Sequence, residues 1–193
     1  MLDKSLPYYH VIMRRPAGLP TPAPTLPAGY VFSPYESGSD TAWASIEAAV
    51  GEFDSPGVAN RYFRDRYLLH LPEVRRRVLF VRGGGAEVGT VTASWDFTGP
   101  RRDAALHWLG VMPGHQGRGL GTALVLRGVR QLQALEGDRD IYLHTQTWSH
   151  TAIGIYLAVG FEMVRDPFAG SPNDFDRAAA VLREVRPDLF GNR

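Results

Sequence analysis

One stretch constrains this chain more than any other. Val111-Met112-Pro113-Gly114-His115-Gln116-Gly117-Arg118-Gly119-Leu120-Gly121-Thr122 joins an apolar strand to a long amphipathic helix. Residues 106–112 read as the strand, and Pro113-Gly114 breaks it. Beyond the turn, Leu124, Val125, Gly128, Val129, Leu132 and Leu135 share one helical face as far as Glu136, and Gly137-Asp138 ends the pattern. Glycines at 117, 119 and 121 allow positive φ and a close approach of backbone to ligand. A helix starting there aims unpaired N–H groups and the positive end of its dipole at one point, which makes an anion site. The spacing excludes two other anion loops. A dinucleotide fingerprint needs glycine where Thr122 stands, and a P-loop needs a lysine that the turn lacks. A glycine-rich connection that binds nothing is the alternative for the turn taken alone.

The flanking segments place this turn in an α/β chain. Residues 8–15 and 30–35 read as strands on either side of a proline-rich run (Pro16, Pro20, Pro22, Pro24, Pro27), which is expected to lie extended on the surface. Ser39 or Asp40 caps a helix to Val50, and a second helix covers 56–69. Residues 77–82 and 87–95 pair as a hairpin about Gly83-Gly84-Gly85. After the long helix come a strand at 141–146, a helix at 151–158, a strand at 161–165 and a last helix, capped by Asn173, to Val185. Strands alternating with helices predict a mixed sheet with helices on both faces. The expected division is an N-terminal extension, 1–29, and a single domain, 30–193.

Composition removes several function classes. The 193 residues fit one domain, and 44% hydrophobic residues suffice for a core. Twenty-one basic residues against 20 acidic ones leave no electrostatic footprint for nucleic acid. The run Arg75-Arg76-Arg77, with Arg61, Arg64 and Arg66, reads as a solvated face. With no cysteine, disulfides, thiolate nucleophiles and Cys-ligated metals are excluded. The histidines lack H-E-x-x-H spacing, so no metal is expected, and the missing G-x-S-x-G argues against a hydrolase. No stretch approaches the ~20 apolar residues of a membrane span. No membrane partner and a cytoplasmic location are therefore expected.

The order Val111, Pro113, Gln116-x-x-Gly119-x-Gly121, helix, strand, then Ala152, Tyr156 and Gly160-Phe161, resembles the GNAT acetyltransferases. Their pyrophosphate loop comes first, and a later motif reads roughly Asn-x-x-Ala-x-x-x-Tyr-x-x-x-Gly-Phe. The resemblance covers 104–165. It departs at Ser149, where asparagine is common, and after 161–165, where many relatives have a final strand rather than a helix. It implies an α/β fold with a mostly antiparallel mixed sheet, helices on both faces, and a splay between two central parallel strands. It also implies transfer of an acetyl group from acetyl-CoA to a primary amine by direct attack. A non-catalytic acyl-CoA sensor of the same fold is the alternative.

Residue by residue, the resemblance assigns CoA contacts to Leu109, Val111, Gln116, Gly117, Arg118, Gly119, Leu120, Gly121, Thr122, Ser149 and Tyr156. Backbone N–H groups of 116–121 hold the pyrophosphate, and the Val111 N–H faces the thioester carbonyl. Tyr156 is the implied general acid for the departing thiolate; a core tyrosine is the plainer alternative. His107 lies four residues before Val111 and on the same strand face by period-two counting. It is the implied proton relay, as in the arylalkylamine N-acetyltransferases, with Asp96, Glu36 and His144 as alternatives and simple packing as the plain reading. The acceptor, a small-molecule or peptide amine, is expected among Glu36, Trp95 and Trp148, with Trp108 as a further wall. Glu36, Glu47, Glu52 and Asp54 make that half locally acidic, which suits a cation, though solvated helix faces explain the charges equally. A homodimer stays open.

Overall fold

The computed structural model describes residues 2–190. Its strands are β1 His10–Arg15, β2 Tyr30–Pro34, β3 Val78–Gly83, β4 Ala86–Thr98, β5 Arg101–Val111, β6 Ile141–Gln146 and β7 Glu162–Val164. They form one sheet in the order β2-β3-β4-β5-β6-β1-β7. Every neighbouring pair is antiparallel except β5 with β6. That parallel ladder holds only where Ala104 meets Ile141 and Ala105 meets Tyr142. Both strands then continue unpaired with each other, to Val111 and Gln146, and a wedge opens between them.

Helices cover both faces, as expected. On one side α1 Ser39–Val50, α2 Pro56–Arg66 and α3 Leu71–Arg77 bury Trp43, Ile46, Phe63 and Val74 against Val78 and Phe80. On the other, α4 Leu120–Glu136, α5 His150–Ala158 and α6 Phe175–Val185 bury Leu124, Val129, Ile153 and Leu182 against Val91, Leu106 and Leu143. Two expected caps differ. Gly38 in the left-handed region precedes α1, and the Ser39 hydroxyl accepts from the Glu36 N–H (3.2 Å). Asp174 precedes α6, and Asn173 Nδ2 donates instead to Val164 O (2.8 Å).

The segment read as an N-terminal extension supplies β1, hydrogen-bonded between β6 and β7. Arg15, 2% exposed, donates to Val159 O, Leu19 O, Pro20 O and Thr21 Oγ1, which ties the proline-rich run to the end of α5. Arg77 is likewise no solvated cation. Its nearly buried guanidinium reaches Glu73 (2.5 Å), Glu136 (2.6 Å) and Ala93 O (3.0 Å). Trp95 is held by Arg77 and Arg102, with guanidinium carbons 4.4 and 4.6 Å from its ring centroid.

A bulge in β5 shapes the site. Thr92 pairs with His107 and Thr90 with Gly110, so Trp108 and Leu109 together oppose Val91. Trp108 has φ 54°, a conformation costing ~1–3 kcal/mol for such a residue. It is held by a hydrogen bond from its Nε1 to Tyr67 Oη (2.7 Å) and by rings of Trp43, Phe53 and Tyr62 at 5.3–5.4 Å. The extra residue inverts the alternation. His107 therefore shares the α1 face with Gly110, and Val111 points to the opposite one, which corrects the period-two count.

Candidate active site

The glycine turn begins as the sequence requires. Gly117 (φ 72°) and Gly119 (φ 79°) occupy the left-handed region. Gly121 does not, and it matters for a different reason: a Cβ there would stand 2.8 Å from Ile155 Cδ1 of α5. No side chain caps the 17-residue α4, so the N–H groups of its first turn point outward unclaimed. Gln116 Nε2 donates to Val111 O (2.8 Å) and folds the loop back on β5. The Arg118 side chain is exposed and reaches only Gly114 O, at 3.5 Å. Met112 N–H donates to Val88 O of β4 (2.8 Å), so by alternation the N–H groups of Val111 and Leu109 face the wedge toward β6.

A cavity of about 360 Å³ fills the wide end of the wedge. Gln116, Gly117, Gly119, Leu120, Gly121 and Thr122 line it with Leu109, Val111, Ser149, Ala152 and Ile155. An exposed, uncapped helix start beside a pair of backbone donors suits a ligand with a pyrophosphate at one end and a carbonyl at the other. A second cavity, of about 520 Å³, continues from the first, sharing Leu2, Glu52, Leu109, Ser149 and Ala152.

The second cavity gathers the titrating groups. Tyr156 lines it at 8% exposure, and burial, then Glu52 and Glu47, raise its hydroxyl well above the ordinary tyrosine value. It is protonated at neutral pH. His107 Nε2 lies 2.7 Å from Asp96 Oδ2, the two side chains 23% and 27% exposed. This pair also lines a third cavity, of about 210 Å³. His144 lines the second cavity and shares a hydrogen bond with His10 (2.9 Å). Trp148, Trp108, Tyr62 and Tyr67 form walls.

Two expected acceptor residues fall elsewhere. Glu36 is exposed in the turn before α1 and lines none of the three cavities, and Trp95 lines only the third. Other lining residues carried no sequence signal. Leu2, Lys4 and Tyr8 come from a segment that crosses the cleft, pinned by Asp3 N–H to Trp148 O (2.9 Å) and Trp148 Nε1 to Leu6 O (2.7 Å). Only the position of β1 beside β6 brings that segment here. Among the described residues, no group of three or more His, Asp or Glu could hold a metal, and no helix is long and apolar enough to cross a membrane.

Comparison with known proteins agrees with this geometry. The model of the acetyltransferase (GNAT) family matches residues 43–161. Mycothiol acetyltransferase of Frankia casuarinae is 34% identical over 169 residues, covering 80% of this chain and 48% of that protein. N-alpha-acetyltransferase RimI of Mycobacterium tuberculosis is 29% identical over 121 residues, 63% of this chain and 71% of that one. A GCN5-related N-acetyltransferase from Sphaerobacter thermophilus superposes with a TM-score of 0.62 at 22% identity, over 81% of this chain and 49% of that chain. A tandem GNAT protein from the clavulanic acid biosynthesis pathway gives 0.60 at 21%, over 80% and 50%. At these identities the solved structures speak to the fold alone. The chain spans about half the length of the mycothiol acetyltransferases it matches.

Proposed function

This chain belongs to the GNAT acetyltransferase family, and we propose that it transfers an acetyl group from acetyl-CoA to a primary amine, small molecule or peptide, by direct attack. One observation carries the reading. The cavity under the glycine turn runs into the cavity lined by Tyr156 and His107, with Leu109, Ser149 and Ala152 common to both.

Backbone N–H groups of residues 116–121 are suited to the pyrophosphate, and those of Leu109 and Val111 to the thioester oxygen. One such donor is typically worth ~10²–10³ in rate. The acceptor enters from the second cavity. An alkylammonium with pKa ~10.4 is free base at only about one part in a few thousand at pH 7, so a group must take its proton. His107 hands that proton to solvent through Asp96 and the third cavity. As the C–N bond forms and the C–S bond breaks, Tyr156 gives its proton to the departing sulfur. Two protons leave the nitrogen: one goes to solvent, and the other restores the Tyr156 hydroxyl, whose own proton is now on sulfur. No cysteine exists to carry an acyl group, which favours direct attack.

Thiol release from acetyl-CoA tests the reading. The panel is 2-phenylethylamine, putrescine, glucosamine, a peptide with a free N-terminus and, from the relatives' names, mycothiol lacking its acetyl group. At least one should accelerate release; if none does, the reading fails. With that acceptor, His107→Gln should depress kcat/KM at neutral pH and approach wild type at high pH, where free amine needs no relay. An unchanged kcat/KM at neutral pH in His107→Gln would move the relay elsewhere.

A further inference from the structure

Glu47 stands in α1 at 0% exposure, and neither of its carboxyl oxygens accepts a hydrogen bond from any described residue. A buried carboxyl left unsatisfied is unfavourable, and such groups in native sites commonly await a ligand. This one lines the second cavity, with Tyr156 among its neighbours. It also abuts β5 at Gly110. A Cβ at Gly110 would come within 2.7 Å of Ile46 Cγ2 and 2.8 Å of Glu47 Oε1, so the glycine leaves room for the carboxyl against β5. Gly110 lies between Leu109 and Val111, whose N–H groups face the wedge. His107 lies three residues earlier on the same face. Tyr62, Tyr67 and Trp108 line the cavity with it and offer ring faces that favour a cation.

We propose that Glu47 anchors the acceptor's ammonium group and is its immediate proton acceptor, selecting a cationic primary amine flanked by an apolar or aromatic group. This rests on the transfer reaction proposed above. An N–H bond of the ammonium breaks, its proton passes to a Glu47 carboxylate oxygen, and the freed lone pair attacks the thioester carbon. His107 and Asp96 then serve as the exit along the same face of the sheet. Burial, and next the nearby Glu52, hold the Glu47 carboxyl well above the ordinary range, which gives it the proton affinity of a base. An ammonium beside it restores the charged form. The other titratable groups around it are Tyr156 from α5, Lys4 from the N-terminal segment, and His107 and Asp96 across the cavity.

The test uses the full chain, thiol release with the amine panel above, and the variants Glu47→Gln and Glu52→Gln. Glu47→Gln should lose ~10²–10⁴ in kcat/KM for the amine, with the acetyl-CoA melting shift intact. Its own melting temperature should exceed wild type at pH 7. A carboxyl whose folded pKa is raised weakens the fold as pH climbs above the unfolded value, so this advantage should vanish toward pH ~4.3. As the base, Glu47 should give kcat/KM an acid limb, and Glu52→Gln, which removes the second cause of its raised value, should move that limb to lower pH without removing it. An unchanged kcat/KM in Glu47→Gln overturns the assignment, as does a fall matched by loss of the acetyl-CoA shift. If wild type acetylates none of the amines, the transfer reading itself falls, and this assignment with it.

Discussion

Tyr156→Phe should lower kcat by ~10²–10⁴ while acetyl-CoA still binds, because the substitution removes one hydroxyl and keeps the ring. The ring packs against Phe161, with centroids 5.7 Å apart, and phenylalanine preserves that contact. The hydroxyl is buried and raised above its ordinary value, so it is fully protonated at working pH and available to the sulfur as the thiolate leaves. Steady-state kinetics on the acceptor found by thiol release, beside an acetyl-CoA melting shift, separate chemistry from binding. Single-turnover rates remove any masking by slow product release. An unchanged single-turnover rate in Tyr156→Phe would reduce the residue to a packing role.

The second large effect is expected at Gly119. A ligand at ~100 times its dissociation constant adds ~2.7 kcal/mol, which for a chain of this size corresponds to a shift of roughly 5–11 °C. Wild type should show it with acetyl-CoA. Gly119→Asp should abolish it, since aspartate at φ 79° is strained and its carboxylate repels a pyrophosphate at the start of α4. Comparison with the variant's own ligand-free melting temperature accounts for the backbone cost. A normal acetyl-CoA shift in Gly119→Asp, or a wild-type shift with ATP and none with acetyl-CoA, would place the ligand elsewhere.

What was legible in the sequence follows from how local the signals are. The strand Ile141–Gln146 and the helix ending at Glu136 were read with those bounds, because their periodicity and flanking breakers lie within a few residues. The glycine turn was legible because positive φ leaves a residue-type signature. The bulge at Trp108 leaves none, since tryptophan with φ 54° is held by Tyr67 and an aromatic cluster from α1 and α2. One unmarked residue was enough to put His107 and Val111 on opposite faces. Residues 71–77 were missed as a helix, and Arg77 was read as solvated; its burial depends on Glu136, 59 positions away. The walls of the second cavity were the least legible part. Glu36 and Trp95 were chosen by chemical type alone, whereas Leu2, Tyr8, Tyr62 and Tyr67 reach the cavity through contacts of long sequence separation.

Direct attack in one cleft requires acetyl-CoA and amine to be bound together before any bond changes. Initial velocities with both substrates varied decide this most directly. Double-reciprocal plots that intersect, with no acetylated protein after acetyl-CoA alone, are the result that two cavities joined at Leu109, Ser149 and Ala152 require. Parallel lines, with an acetyl group left on the protein, would contradict it.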